Sequence, residues 1–449
     1  MYFIFEAILI TGIAFVRYRA ALLFFTFLLA LSPRSTSIAI GQSGLAFSFT
    51  RYALLVMLGC FIVKLMRHPK IWRRAKYALF QERSSTILIL LAGLKLSMSF
   101  YATGVSSLPY IFDDVSITLM CFLIFYVFTK TQYDFRKLLV AMTLSVLLSG
   151  LLGLIEASFA KPLVTFLASG AVAGSDDVLA GITRNSSYRL QALFDNPLLL
   201  AEFTVLATPL IIYLFHTASG FLRMIWAGAM FVAAALLVGT GSRAGLILYA
   251  IEIPAIFVLS RRGDWGFLLK LVAAFVVVTV IGVALYSGFD SFMSLAQEGK
   301  TGNFWLYDDE DRSTLERASQ YLIVFEQMKN NPFFGFGVRQ SLHNELDFLN
   351  RLDSYWLRLL LEGGIFAPLL FIGFAIVAIR RVIGSDLIGF RKPPLLRAAL
   401  LVFIAMFVSL KLFISIPSNN IYFFIVIGAF FGVTQKPNKV WSDAHSACP

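Results

Sequence analysis

Of the four histidines in this 449-residue chain, only His343 sits within a long polar stretch between apolar runs, GFGVRQSLHNELDFLNRLDSYW. His68 and His216 adjoin basic connections, and His445 is in the C-terminal tail. Imidazole exchanges a proton near neutral pH, so His343 is the candidate general base; the competing reading is a hydrogen-bonded structural histidine. Arg243 falls in GTGSRAG, where glycines let the backbone turn sharply and a guanidinium can grip phosphate oxygens through two parallel hydrogen bonds. An arginine snorkelling to lipid headgroups is the alternative. Arg189 comes in SYRLQALFDNPLLLAEF, with Arg184 close by, and Arg339, Arg351 and Arg358 surround the stretch that holds His343. Several arginines about one histidine would suit a pyrophosphate, provided the fold makes them converge.

Other polar groups point less clearly. Asp308-Asp309-Glu310-Asp311 lacks the alternating spacing and glycine of a calcium loop, and a solvated acidic turn is the better reading. Cys60, Cys121 and Cys448 show no pairing or zinc spacing, so neither a disulfide nor a metal is expected. Lys95, Glu202, Glu252 and Lys411 interrupt apolar runs, where a charge is costly and marks a functional hypothesis. They are scattered over separate runs with no evident partner, which gives an ion relay little support.

The elements that must position these residues are membrane spans. The chain is 58% hydrophobic and 14% charged, against roughly 45–50% and about 25% in soluble domains, which argues against a soluble enzyme or a nucleic-acid binder. Runs such as LLFFTFLLAL and LLKLVAAFVVVTVIGVALY approach the roughly 20 residues that cross a bilayer. The expected fold is all-α and polytopic, with 12 or 13 transmembrane helices. Spans are predicted near 2–16, 19–32, 51–66, 85–101, 115–129, 137–155, 198–216, 221–238, 243–259, 267–287, 355–379, 397–415 and 419–434. The first two are short enough to be a broken pair. The N-terminus opens apolar without a basic stretch or cleavage site and is expected to be retained.

Basic residues set the orientation. Connections 67–83 and 380–397 carry six and five Lys or Arg, and 130–137 and 260–270 carry three each, whereas 102–114 carries none. Basic connections stay cytoplasmic. The chain then divides into N-terminal spans 1–155, a first outer loop 156–197, central spans 198–287, a second outer loop 288–353, and C-terminal spans with a cytoplasmic tail, 354–449. The second loop holds 11 of the 26 acidic residues. Its Ser313-Thr314-Leu315-Glu316 has capping-box spacing, and Leu315, Ala318, Leu322 and Phe325 recur at helical intervals until Asn331-Pro332. Such a helix is expected to lie in the membrane interface, apolar side down.

GTGSRAG opening an outer-facing span, then an amphipathic helix ending NNPFFGFG, then LDSYWLRLLLEGGI, resembles the O-antigen ligase and polymerase superfamily. YRLQALFDNPLLLAEF is similar to that family's first outer-loop motif, so the resemblance covers roughly residues 185–370. It implies a bacterial inner-membrane glycosyltransferase, free of metal and cofactor, whose donor is an oligosaccharide on undecaprenyl pyrophosphate. By this resemblance Arg243, Arg189 and Arg339 hold the pyrophosphate, and His343 takes the proton of an acceptor hydroxyl attacking the anomeric carbon with inversion. Asp353 and Tyr355, with Asn344, are the acceptor contacts. The acidic insertion in LHNELDFLNRLDSYW reads more like exopolysaccharide polymerases than ligases and puts the role of His343 in question.

The leading expectation is therefore a polymerase that moves the growing glycan to the next lipid-linked repeat unit at the periplasmic face. A ligase acting on lipid A-core is the nearest alternative. A lipid-linked saccharide transporter is a third, which would show repeated halves, broken helices and paired intramembrane charges. A subunit of an assembly complex is the fourth. Expected partners are the lipid-linked oligosaccharide, membrane lipids and a chain-length regulator or export complex, with no nucleic acid.

Overall fold

The computed structural model describes residues 2–32, 37–40, 45–103, 108–159, 161–163, 183–184, 187–194, 196–262, 320–321, 323–337, 354–411 and 419–435. These are overwhelmingly helical. Nine helical stretches among them are long and apolar enough to cross a membrane, and three shorter apolar helices accompany them. The predicted span at 267–287 and the capping-box start at Ser313 lie outside the described residues.

Residues 2–32 form a helical hairpin. Helices α1 (Tyr2–Val16) and α2 (Tyr18–Leu28) turn at Arg17, and Ser32 Oγ donates to Glu6 Oε1 at 2.6 Å, so the far ends of the two meet. A two-stranded ribbon, β1 (Ser37–Ile40) with β2 (Leu45–Ser48), leads to α3 (Phe49–Arg67). The basic connection that follows is largely helical: α4 (Pro69–Phe80) has proline in its first turn and buries Ala75 and Ala78. Next come α5 (Arg83–Thr103), α6 (Leu108–Val115) and α7 (Cys121–Phe128). A π-helical turn, Ser116–Met120, joins the last two into one span. Such turns often mark sites of function.

After α8 (Gln132–Phe159) and a minimal ribbon, β3 (Thr183–Arg184) with β4 (Ser187–Tyr188), the chain enters α9 (Pro197–Thr217). The sequence gives α9 a clean start: Asn196 Oδ1 accepts from Leu198 N at 2.8 Å and Pro197 supplies a preset φ. Buried along nearly its whole length, α9 packs against α8, α10 (Gly220–Thr240), α11 (Arg243–Arg262) and α14 (Pro393–Leu410). A final helix, α15 (Asn420–Val433), stacks its phenylalanines into the centre: the Phe407 and Phe423 rings lie 3.8 Å apart and nearly parallel.

Two expectations need correction. The span predicted at 355–379 is broken into α12 (Tyr355–Gly363) and α13 (Phe366–Gly384), because Gly364 takes a positive φ that ends the first helix. The amphipathic helix of the second loop, where described, does not turn its apolar side simply to the interface. Val324 and Met328 pack on Leu357 and Leu361 of α12, while Phe325 is exposed. The break leaves α12 a free apolar face, and that face is what the loop helix covers.

Basic connections gather at one end, where several arginines close helices. Arg74 of α4 donates to the carbonyls of Tyr126, Thr129 and Gly432 at 2.9, 3.1 and 2.6 Å, at the C-terminal ends of α7 and α15. Arg391 donates to Thr217 O and Arg381 to Thr434 O. A cation at a helix C-terminus satisfies its orphan carbonyls and opposes its dipole. Arg74→Ala should cost about 2 kcal/mol, read as a lower melting temperature of the purified protein, with Arg74→Lys recovering only part. An unchanged melting temperature would show that these carbonyls are otherwise satisfied.

Candidate active site

At the opposite end, the segment around Arg189 is seated on the turn between α10 and α11. Glu156, near the end of α8, accepts from the Tyr188 hydroxyl and the Gln191 backbone N–H, both at 2.8 Å. Burial, with Glu156 adding to it, raises the Tyr188 phenol well above its ordinary value, so it stays a donor. Leu190 N donates to Gly239 O at 2.8 Å. A Cβ at Gly239 would lie 2.2 Å from Leu190 Cδ1 and 2.8 Å from its Cγ, so any side chain there would displace Leu190.

Arg189 Nε then donates to Thr240 O at 2.8 Å, in the last turn of α10. Three residues on, Arg243 opens α11 with its side chain exposed, and Ser242 Oγ accepts from Gly245 N to start the helix. Both arginines are thus brought to one turn, beside a helix N-terminus whose dipole favours an anion. Arg339, His343, Asn344 and Asp353 lie outside the described residues.

The two flanks of that segment are well placed. Upstream, NNPFFGFG is zipped to the α12–α13 break: Phe336 N donates to Leu361 O at 2.7 Å, Gly337 N to Glu362 O at 3.0 Å, and Ile365 N to Pro332 O at 2.9 Å. Gly337 has φ +82° and its absent Cβ would sit 2.7 Å from the Ser99 Cα of α5, so this backbone-on-backbone contact excludes any side chain. Downstream, Tyr355 begins α12 and its N–H donates to Lys411 O at 3.0 Å. The Tyr355 ring is 1% exposed, with Lys95 Nζ 6.0 Å and Lys411 Nζ 5.5 Å from its centroid. In this form Tyr355 offers an acceptor no exposed ring surface. What it does is fix the chain just after Asp353.

The ammonium groups around Tyr355 belong to a buried ionic network. Lys95 pairs with Glu362 at 2.9 Å and with Asp114 at 3.1 Å, and Arg358 pairs with Glu362 at 2.7 Å. Lys411 pairs with Glu202 at 2.5 Å, and Asn419 donates to Glu202 at 3.1 Å. Alongside, Arg51 forks onto Asp113 with Nε donating at 2.8 Å. The expectation that Lys95, Glu202 and Lys411 lack partners is therefore wrong. Burial in low dielectric demands partners, and the fold supplies them from other helices. Glu252 differs, being fully buried with neither carboxyl oxygen hydrogen-bonded among the described residues.

Sequence reasoning passed over Glu156, Gln191, Asp114 and Glu362. Only the Arg358–Glu362 spacing of four residues was readable as a helical pair. At the same end, the side-chain amides of buried Gln191 and Asn420 and the Ser354 hydroxyl find no hydrogen-bond partner among the described residues. Such groups are uncommon in folded proteins away from sites that use them. No group of three or more His, Cys, Asp or Glu suited to a metal occurs among the described residues, and the acidic run at 308–311 lies outside them.

These features define a polytopic membrane protein with two arginines at one inter-helix turn and a polar loop anchored on a buried ionic network. Residues 228–372 match the family model described as O-antigen ligase, which supports the O-antigen ligase and polymerase superfamily as the class of this chain. The matched segment runs from α10 through the Arg243 turn and the α12–α13 break into α13, and includes Arg339, His343, Asn344, Asp353 and Tyr355. No match to the chain is found among curated proteins.

If Lys95 and Glu362 sustain each other, Lys95→Met alone should destabilise by about 3–5 kcal/mol, and adding Glu362→Gln should return much of the loss. Strictly additive effects in thermal melts of the four proteins would dissolve the network.

Proposed function

We propose that this protein is a polysaccharide polymerase, which transfers a growing glycan from undecaprenyl pyrophosphate onto the next lipid-linked repeat unit. The observation that carries the reading is the seating of Arg189 on the α10–α11 turn, immediately before Arg243 opens α11. Two guanidinium groups and a helix N-terminus make a place for a pyrophosphate. We take the basic end as cytoplasmic on the distribution of Lys and Arg, which puts this turn, in the inner membrane of a bacterium, at the periplasmic face and the C-terminus inside.

In this mechanism His343 accepts the proton of an acceptor hydroxyl as its oxygen attacks the anomeric carbon. The bond from that carbon to the pyrophosphate oxygen breaks, and its electron pair leaves with the lipid pyrophosphate. Arg243, Arg189 and Arg339 meet the charge that develops there, the interaction expected to supply most of the rate. Attack opposite the leaving group inverts the anomeric configuration, and His343 returns its proton to solvent. Asn344 and Asp353, with Tyr355 fixing the chain beside them, hold the acceptor. No metal takes part in this scheme, and a chain-length regulator or export complex would act on it from outside.

The choice of polymerase over ligase rests on the acidic stretch after His343. Paired intramembrane charges and a broken helix would also suit a transporter. The family match and the arginine turn favour transfer chemistry instead.

The test uses purified protein in lipid with an undecaprenyl-pyrophosphate-linked repeat unit, products being resolved by size. A ladder of longer lipid-linked glycans is expected from wild type. Arg243→Ala should lower its rate by roughly 10²–10³-fold, Arg189→Ala should follow the same direction, and His343→Ala should cost at least about 10²-fold. Transfer only after lipid A-core is added would make the protein a ligase. A ladder indifferent to His343→Ala would remove the proposed base, and no product from folded protein under either condition would overturn the enzyme.

A further inference from the structure

At the basic end, away from the arginine turn, the α1–α2 hairpin leaves a recess of about 750 Å³. Its walls bring together Arg17 and Arg19 from the hairpin, Lys64 from the end of α3, Lys130 from the connection before α8 and Lys137 from the second turn of α8. Segments distant in sequence thus converge five basic side chains on one cavity, which His68 also lines. The one carboxylate among the lining residues, Asp134, is already engaged: it accepts from the backbone N–H groups of Lys130 and Thr131 and lies 3.7 Å from Arg19. A large positive excess remains. Lys130 shows the result: burial first, then the charges of Arg74, Arg19 and Lys70, push its ammonium below the ordinary lysine value. An anion would relieve that repulsion.

The recess has a cause in helix length. At 1.5 Å per residue the 15 residues of α1 and 11 of α2 rise only about 22 and 17 Å, against about 30 Å of hydrocarbon. Both are shorter than the 19-residue α3, whose last turn carries Lys64 and Arg67. Meanwhile the Tyr18 hydroxyl donates to Met57 O at 2.9 Å, which locks the hairpin turn against α3. Apolar side chains also line the recess, Leu23, Ile71 and Phe128 among them, and exposed Phe15, Val16 and Met66 stand close by in sequence at the same level. Cationic groups beside apolar wall fit an amphiphile better than a free anion.

We propose that this recess is a binding site for the phosphate headgroup of an anionic phospholipid from the leaflet at the basic end. The lipid would fill the gap left by the short hairpin, its phosphate among Arg19, Lys64 and Lys137 and its acyl chains along α1 and α2. The site stands independently of the transfer reaction.

Native mass spectrometry of the full chain in detergent, titrated with phosphatidylglycerol or phosphatidylcholine, tests this. One phosphatidylglycerol should be retained well above the level of phosphatidylcholine. The triple variant Arg19→Gln/Lys64→Gln/Lys137→Gln should weaken that binding roughly a hundred-fold, from the loss of three cations close to a phosphate. The control Arg73→Gln/Lys76→Gln/Arg380→Gln removes the same charge from exposed positions of the basic connections outside the recess and should leave binding intact. Equal loss in both triples would reduce the effect to diffuse surface charge and overturn the site. So would equal retention of phosphatidylcholine, or displacement of the lipid by millimolar inorganic phosphate. Should the recess triple melt early, the single exposed change Lys137→Glu decides the matter: it must weaken phosphatidylglycerol binding without lowering the melting temperature.

Discussion

A side chain that keeps its charge in the interior of a membrane protein is costly unless an opposite charge lies within a few ångströms, and this constraint organises the end of the molecule that bears the candidate site. Lys95, Asp114, Glu362 and Arg358 form a group with two positive and two negative members; Lys411 with Glu202 forms a second neutral group across the Tyr355 ring. None of these pairs joins neighbours in sequence except Arg358 with Glu362. The others are therefore cross-links between helices, and none of the pairs can be given up singly, because a lone buried charge costs more than the pair contributes. Helices α5, α6, α9, α12 and α14 are fixed to one another by this requirement.

The same network joins the two motifs that bear the candidate chemistry. Glu202 lies early in α9, immediately after the segment in which Arg189 is seated on the α10–α11 turn. Glu362 lends its side chain to Lys95 and its backbone carbonyl to Gly337, where the second loop descends towards His343 in sequence. The arginine turn and the polar loop are thus referenced to one rigid frame. Preorganisation of this kind is what electrostatic catalysis needs, since a group that must move to meet developing charge spends part of its effect in moving.

Much of the frame was legible in the residues. Among the described residues hydropathy located most of the spans, because a helix in lipid has no alternative to an apolar exterior, and Asn196-Pro197 announced the start of α9 through capping chemistry. GTGSRAG read as a turn with an exposed arginine, as it is. The pairing of Lys95 with Glu362 was not legible, since the two are more than 260 positions apart and nothing local to either encodes the meeting. The break at Gly364 was hidden for another reason: hydropathy continues smoothly across EGGI, so an averaged signal runs through a point where the backbone changes direction. Nor did periodicity single out Val324 and Met328 over Phe325 as the residues that pack, because the neighbour that selects them is itself a product of that break.

The anchoring of residues 338–353 also bears on how such a protein can diversify. Gly337 and Ser354 bound the segment, and both ends are tied to the ionic network through Glu362 and Lys411. Closing a loop between fixed posts costs free energy that rises only with the logarithm of its length. The intervening stretch can therefore be lengthened, shortened or rewritten while its posts stay where they are. Under the proposed reaction, in which this stretch holds the acceptor, such a scaffold would separate the residues that choose the sugar from those that hold the membrane fold, so new acceptors could be tried at little risk to the helices beneath.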